Sequence, residues 1–116
     1  MALQTLQKNS EFRICYARGR KVVCDHAIIF YHDNPDANGL RVGFVASKRV
    51  GGAVKRNRAK RLLREAARSV ADKWIERDLW VVLVARSTIT SATSSEIRDD
   101  IERRLARAGL LAENMK

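Results

Sequence analysis

The chain reads as an α+β domain, a two-layer sandwich in the order α-β-β-β-α-β-α, with helices on a mainly antiparallel four-stranded sheet. Three observations predict it. Residues 48–68 carry apolar positions at helical spacing, residues 79–85 form an unbroken apolar run of strand length, and residues 93–105 pair a capping signal with a helical apolar stripe. At 116 residues and 13.1 kDa the chain has room for one core, so a single domain over 1–116 is expected.

The first helix is expected over 10–18, capped by Asn9 or Ser10, with Glu11 in its first turn and Gly19 as its stop. Phe12 and Tyr16 stand four apart on one face of it. Residues 21–31 are strand-like, with an irregularity at Asp25-His26. A loop rich in Asp, Asn, Pro and Gly follows over 33–39, then a strand over 40–47, and the two flanking strands are expected to make an antiparallel hairpin. The run 79–85 reads as the centre of the sheet. Thr93 and Glu96 form a capping box for a last helix that turns Ile97, Ile101 and Leu105 inward and ends at Gly109.

Charge is concentrated in one place. Residues 48–68 hold nine of the 23 Lys and Arg residues and one acid, Glu65, out of a net charge of +10. Apolar positions at Val54, Ala59, Leu62, Leu63, Ala66, Ala67, Val70, Ala71 and Trp74 mark the inward face, and Arg56, Lys60, Arg64 and Arg68 form a ridge four apart. Lys55, Arg56 and Arg58 crowd the first turn, where the macrodipole is positive and cations are unfavourable unless an anion docks there. Gly51-Gly52 leads into the helix without side chains. One base-rich face with a single acid is the footprint of a nucleic-acid-binding surface.

The stretch Val54-Lys55-Arg56-Asn57-Arg58-Ala59-Lys60-Arg61-Leu62-Leu63-Arg64 resembles the signature of the bacterial ribonuclease P protein subunit, with its Arg-Asn-Arg core. Phe12, Tyr16, an apolar strand ending at Phe30, Arg41-Val42-Gly43 leading to Ser47-Lys48, and the late apolar strand follow the family's order over about residues 8–110. The resemblance implies that Lys48, Arg49, Arg56, Asn57, Arg58, Lys60, Arg61, Arg64 and Arg68 contact the catalytic RNA and substrate phosphates. It implies too that Phe12, Tyr16 and Phe30 line a cleft for the single-stranded 5′ leader of precursor tRNA. Phe30 and Tyr31 face opposite sides of a strand, and the resemblance favours Phe30 for the cleft. It further implies a left-handed βαβ crossover, a protein that is monomeric in a 1:1 complex with the RNA, and Mg²⁺ held by that RNA as the agent of hydrolysis. No catalytic residue and no protein-bound metal are expected. Relatives often carry Asn where Gly52 stands and begin with a basic arm, whereas residues 1–7 here contain no base.

Other classes fit less well. Cys15 and Cys24 lack the spacing of a zinc site, and buried thiols in the cytoplasm are expected. His26 and His32 fall on one side of a strand beside Asp25 and Asp33, but supply no complete nuclease set. No apolar run is long enough to cross a bilayer, and the Ala-rich face of the basic helix does not suit a membrane surface. A ribosomal RNA-binding protein of the same general fold is the nearest competitor.

Overall fold

The computed structural model describes residues 4–34, 39–70, 73–74 and 78–111. Its elements are β1 (Gln4–Thr5), α1 (Asn9–Arg18), β2 (Arg20–Val23), β3 (Ala27–Asp33), β4 (Leu40–Val45), α2 (Ala53–Ser69), β5 (Leu79–Ala85), a short 3₁₀ turn (Ser87–Ser91) and α3 (Ser94–Arg107). Residues 35–38 of the expected loop, and Ala71 of the expected apolar face, lie outside the described residues.

The sheet has five strands in the order β1-β4-β5-β3-β2. It is mixed: β2–β3 and β3–β5 are antiparallel, while β4–β5 and β1–β4 are parallel. This corrects the expected four-stranded, mainly antiparallel sheet, and it removes the expected hairpin between β3 and β4. β5 separates those two strands. All seven of its residues are apolar and six are buried, so it gains most by taking the centre, where both faces are covered. Only two residues long, β1 is too short to show any periodicity of its own.

Alternation along the strands sends side chains to two different helix layers. Ala27, Ile29, Tyr31, Val42, Leu79, Val81, Leu83 and Ala85 join the main core with α2 and α3. Trp80 and Val82 face the other way, into a smaller core with Leu6 and Cys15, against which Phe12, Ile14, Phe30, Val45 and Val84 pack. α1 therefore covers the opposite sheet face from α2 and α3, and the arrangement has three layers rather than two. The difference arises because β5 is apolar on both faces and needs a cover on each.

The helix ends follow local chemistry. α3 has the expected capping box: Thr93 Oγ1 accepts from the Glu96 N–H at 3.2 Å, and Glu96 Oε1 accepts from the Thr93 N–H at 2.8 Å. α1 starts one residue earlier than expected and is capped neither by Asn9 nor by Ser10. Instead Glu11 Oε1 reaches back to accept from the N–H groups of Lys8 and Gln7, each at 3.0 Å, and these bonds hold its carboxyl below the usual range.

Candidate nucleic-acid interface

α2 buries Ala59, Leu62, Leu63, Ala66 and Ala67 against the sheet and α3. Val54, read from spacing as part of that face, is 83% exposed. It sits in the first turn, which overhangs the core. Gly52 is the N-cap and supplies no side-chain acceptor, and the first turn contains no acid. Gly51 precedes it with φ +139°, a backbone conformation that L side chains rarely adopt. The free N–H groups of the helix start thus lie beside Lys55, Arg56 and Arg58 with nothing on the helix itself to neutralise them.

α2 carries seven bases and one acid, whereas α3 carries four of each. The partnering differs to match. On α3, Arg103 and Arg104 lie 3.6–4.0 Å from Asp25 and Asp100. On α2, among the described residues, one carboxylate pairs with a base: Glu65 Oε2 is 3.8 Å from Arg61 Nε, both largely exposed. Lys48, Arg49, Asn57, Arg58, Arg61 and Arg68 are exposed, and Arg56, Lys60 and Arg64 are half-buried along the flank of the helix. Arg64 is held in place, its guanidinium carbon 5.3 Å from the centre of the Phe44 ring.

The aromatic group lies on the other sheet face. Tyr16, 42% exposed, meets Phe30 edge-on with ring centres 5.0 Å apart. Phe12 lies so close over Gly43 that a Cβ there would stand 2.5 Å from Phe12 Cε1 and 2.7 Å from Cζ. Tyr31 points to the opposite side, into the main core. Beyond the aromatics, the register sets Val45, Val84 and Ile28 side by side on three adjacent strands, all half-buried. This apolar floor escaped sequence reasoning because it is assembled across strands remote in sequence. The two surfaces meet at β4. Because β1 pairs with only Arg41 and Val42, and Leu6 after it lies against Gly43, the edge of β4 is open from Phe44 onward, with Gly43 under Phe12 on one face and Phe44 under Arg64 on the other.

The family profile described as Ribonuclease P matches residues 2–109. A ribonuclease P protein component from an Exiguobacterium strain is 37% identical over 103 residues, covering 89% of this chain and 88% of that protein. One from Symbiobacterium thermophilum is 36% identical and covers 91% of each. The chain belongs to the bacterial ribonuclease P protein family. Among solved structures, the RNase P protein of Staphylococcus aureus superposes with a TM-score of 0.82 at 25% identity, covering 94% of this chain and 98% of that one. The Thermotoga maritima RNase P protein, at 19% identity and a TM-score of 0.78 over 90% of this chain and 96% of that one, shares the fold.

The rest of this ribonuclease P family chain offers little nucleophilic chemistry. Cys15 and Cys24 are buried, and burial pushes their thiols up to about 11 and about 12, so neither is ionised at neutral pH. His26 precedes β3 and places Nδ1 3.0 Å from Thr88 Oγ1, while His32 lies near the far end of that strand. The two histidines share no site. Among the described residues no group of three or more His, Cys, Asp or Glu side chains could hold a metal ion, and no helix is long and apolar enough to cross a membrane.

Proposed function

We propose that this chain is the protein partner of ribonuclease P RNA and acts as a single RNA-binding domain that holds the 5′ leader of precursor tRNA for removal. The observation that carries the reading is the meeting of two unlike surfaces at the open edge of β4. The basic flank of α2 suits folded RNA and its phosphates, since guanidinium groups grip phosphate through two donors at once. The Phe12, Tyr16 and Phe30 cleft suits unpaired bases, which stack on aromatic faces without regard to sequence. Lys48 and Arg49, on the connection between β4 and α2, extend the basic surface toward that edge.

The reaction is hydrolysis of one phosphodiester bond: water adds to phosphorus and the leader's 3′ oxygen departs with a proton. Mg²⁺ carried by the RNA supplies water activation and leaving-group stabilisation. The work of this chain is electrostatic and positional. Its cations screen repulsion between two polyanions, and its cleft holds the leader in line with the RNA's metal site.

The deciding test combines the protein with a bacterial ribonuclease P RNA at low Mg²⁺ and supplies precursor tRNA. The expected result is 5′ cleavage that requires the RNA and is stimulated by the protein. RNA-free cleavage lost in His26→Ala would establish a stand-alone nuclease instead. Tight RNA binding without stimulation would leave a ribosomal RNA-binding role.

The cleft has its own test in Gly43→Ala. The new methyl group evicts the Phe12 ring, whose outer edge can swing toward solvent. Affinity for precursor tRNA with a long leader should fall about tenfold, the worth of roughly one stacked base, while assembly with the catalytic RNA through α2 is retained. Phe12→Ala should reproduce the effect, since it deletes the same ring. Equal loss on leaderless tRNA in both variants would make Phe12 a packing residue only.

A further inference from the structure

The cleft does not end at Phe30. β2 lies next to β3 at the edge of the sheet, and its register places Lys21 opposite Phe30 and Val23 opposite Ile28. Directly paired residues share a face, so Lys21 and Val23 continue the cleft surface by one strand. Both are exposed, Val23 to 48%. An alternating cation and open apolar side chain match the two parts of a nucleotide, phosphate and base. The surrounding charge points the same way. From residue 12 to residue 24 the sequence has four bases, Arg13, Arg18, Arg20 and Lys21, and no acid. All four are exposed, and among the described residues none is paired with a carboxylate. Cations on an edge strand also discourage strand-to-strand aggregation. That role alone would not leave Val23 bare on the same face.

We propose that β2 is a distal leader-binding surface, on which Lys21 takes a phosphate and Val23 a base of nucleotides lying upstream of those stacked on Tyr16 and Phe30. The inference rests on the leader-binding reading above and extends it to longer leaders. The path crosses the strands from the open edge of β4, over β5 and β3, to β2. Three inter-strand steps of about 4.8 Å make about 14 Å, or roughly four nucleotides at a stacked rise of 3.4 Å. A leader shorter than that ends over the aromatics, and a longer one reaches Lys21.

The test measures precursor tRNA affinity of the reconstituted holoenzyme with leaders of about two and about eight nucleotides, which end before and beyond β2 on this spacing. Lys21→Glu should cut the advantage of the long leader about tenfold, Lys21→Gln about threefold, and the log–log salt slope for the long leader should drop by about 0.7, one single-strand phosphate. Tyr16→Ala on the same substrates reports on the cleft independently. If Tyr16→Ala reduces the long-leader advantage and both Lys21 variants leave it intact, the leader leaves by another route and the inference is overturned while the leader-binding reading stands. If neither site matters, both readings fall. If the Lys21 variants weaken short and long leaders equally, Lys21 serves the catalytic RNA and the distal surface is lost.

Discussion

Replacing Arg56, Arg58 and Lys60 together by Gln should weaken binding of ribonuclease P RNA by about a hundredfold or more, while leaving the folded protein no less stable. The two halves of that expectation have opposite signs for one reason. In the free protein these cations crowd the first turns of a helix that bears seven bases, one acid and no acidic residue at its positive end. Each opposes the macrodipole and repels its neighbours, so removing three of them relieves a modest strain. On the proposed reading each would lie against phosphate in the complex, and losing three contacts should flatten the log–log salt dependence by about two to three. Binding measured across a salt series, beside a thermal melt of each variant, reads both. A melting temperature lower by several degrees, with the salt slope unchanged, would make these residues structural. Arg64 should behave differently from Arg58. Its stacking on Phe44 contributes about 0.5–1 kcal/mol, so Arg64→Ala lowers stability as well as affinity.

What the sequence made legible was local. The helical spacing of α2, the Thr93–Glu96 box and the uninterrupted apolar run of β5 are each written within a few consecutive residues, and each element appears, although α2 stops at Ser69, short of the Val70 and Trp74 that its spacing included. What it concealed depends on pairings between distant segments. The antiparallel hairpin of β3 and β4 was reasonable for neighbours in sequence, but β5, arriving about forty residues later, takes the place between them. The contrast between Val54, exposed despite its spacing, and Gly43, buried beneath Phe12, has the same origin: neither residue type announces what lies across from it. The basic surface was legible as composition, but its junction with the aromatic cleft follows only from the shortness of β1 and the open edge of β4 that results. The charge of α3 concealed most. Four acids and four bases stand on it, and nothing in that balance marks the one acid that is inside.

That acid, Asp100, is 2% exposed and lies between Ile97 and Ile101 on the inward side of α3. Its Oδ1 accepts from the Asp25 N–H at 3.1 Å and its Oδ2 from the His26 N–H at 3.0 Å. Those two N–H groups belong to the turn between β2 and β3, so one carboxylate ties α3 to the strand edge that carries Lys21 and Val23. Arg103 and Arg104 stand 3.8–4.0 Å away, close enough to balance its charge but too far to replace its hydrogen bonds. Asp100→Ala should therefore lower stability by about 3 kcal/mol, since it leaves two part-buried donors without acceptors and removes the carboxylate facing Arg104. For a domain of this size that corresponds to a melting temperature lower by roughly 10 °C. Asp100→Asn should cost less, because one oxygen still accepts while the new amide faces the other N–H with a donor of its own. The cost should appear without any change in α2's salt-dependent RNA affinity at temperatures where the variant remains folded. Urea unfolding of both variants checks the ranking, and a loss below about 1 kcal/mol in Asp100→Ala would mean that water satisfies the turn once the carboxylate is gone.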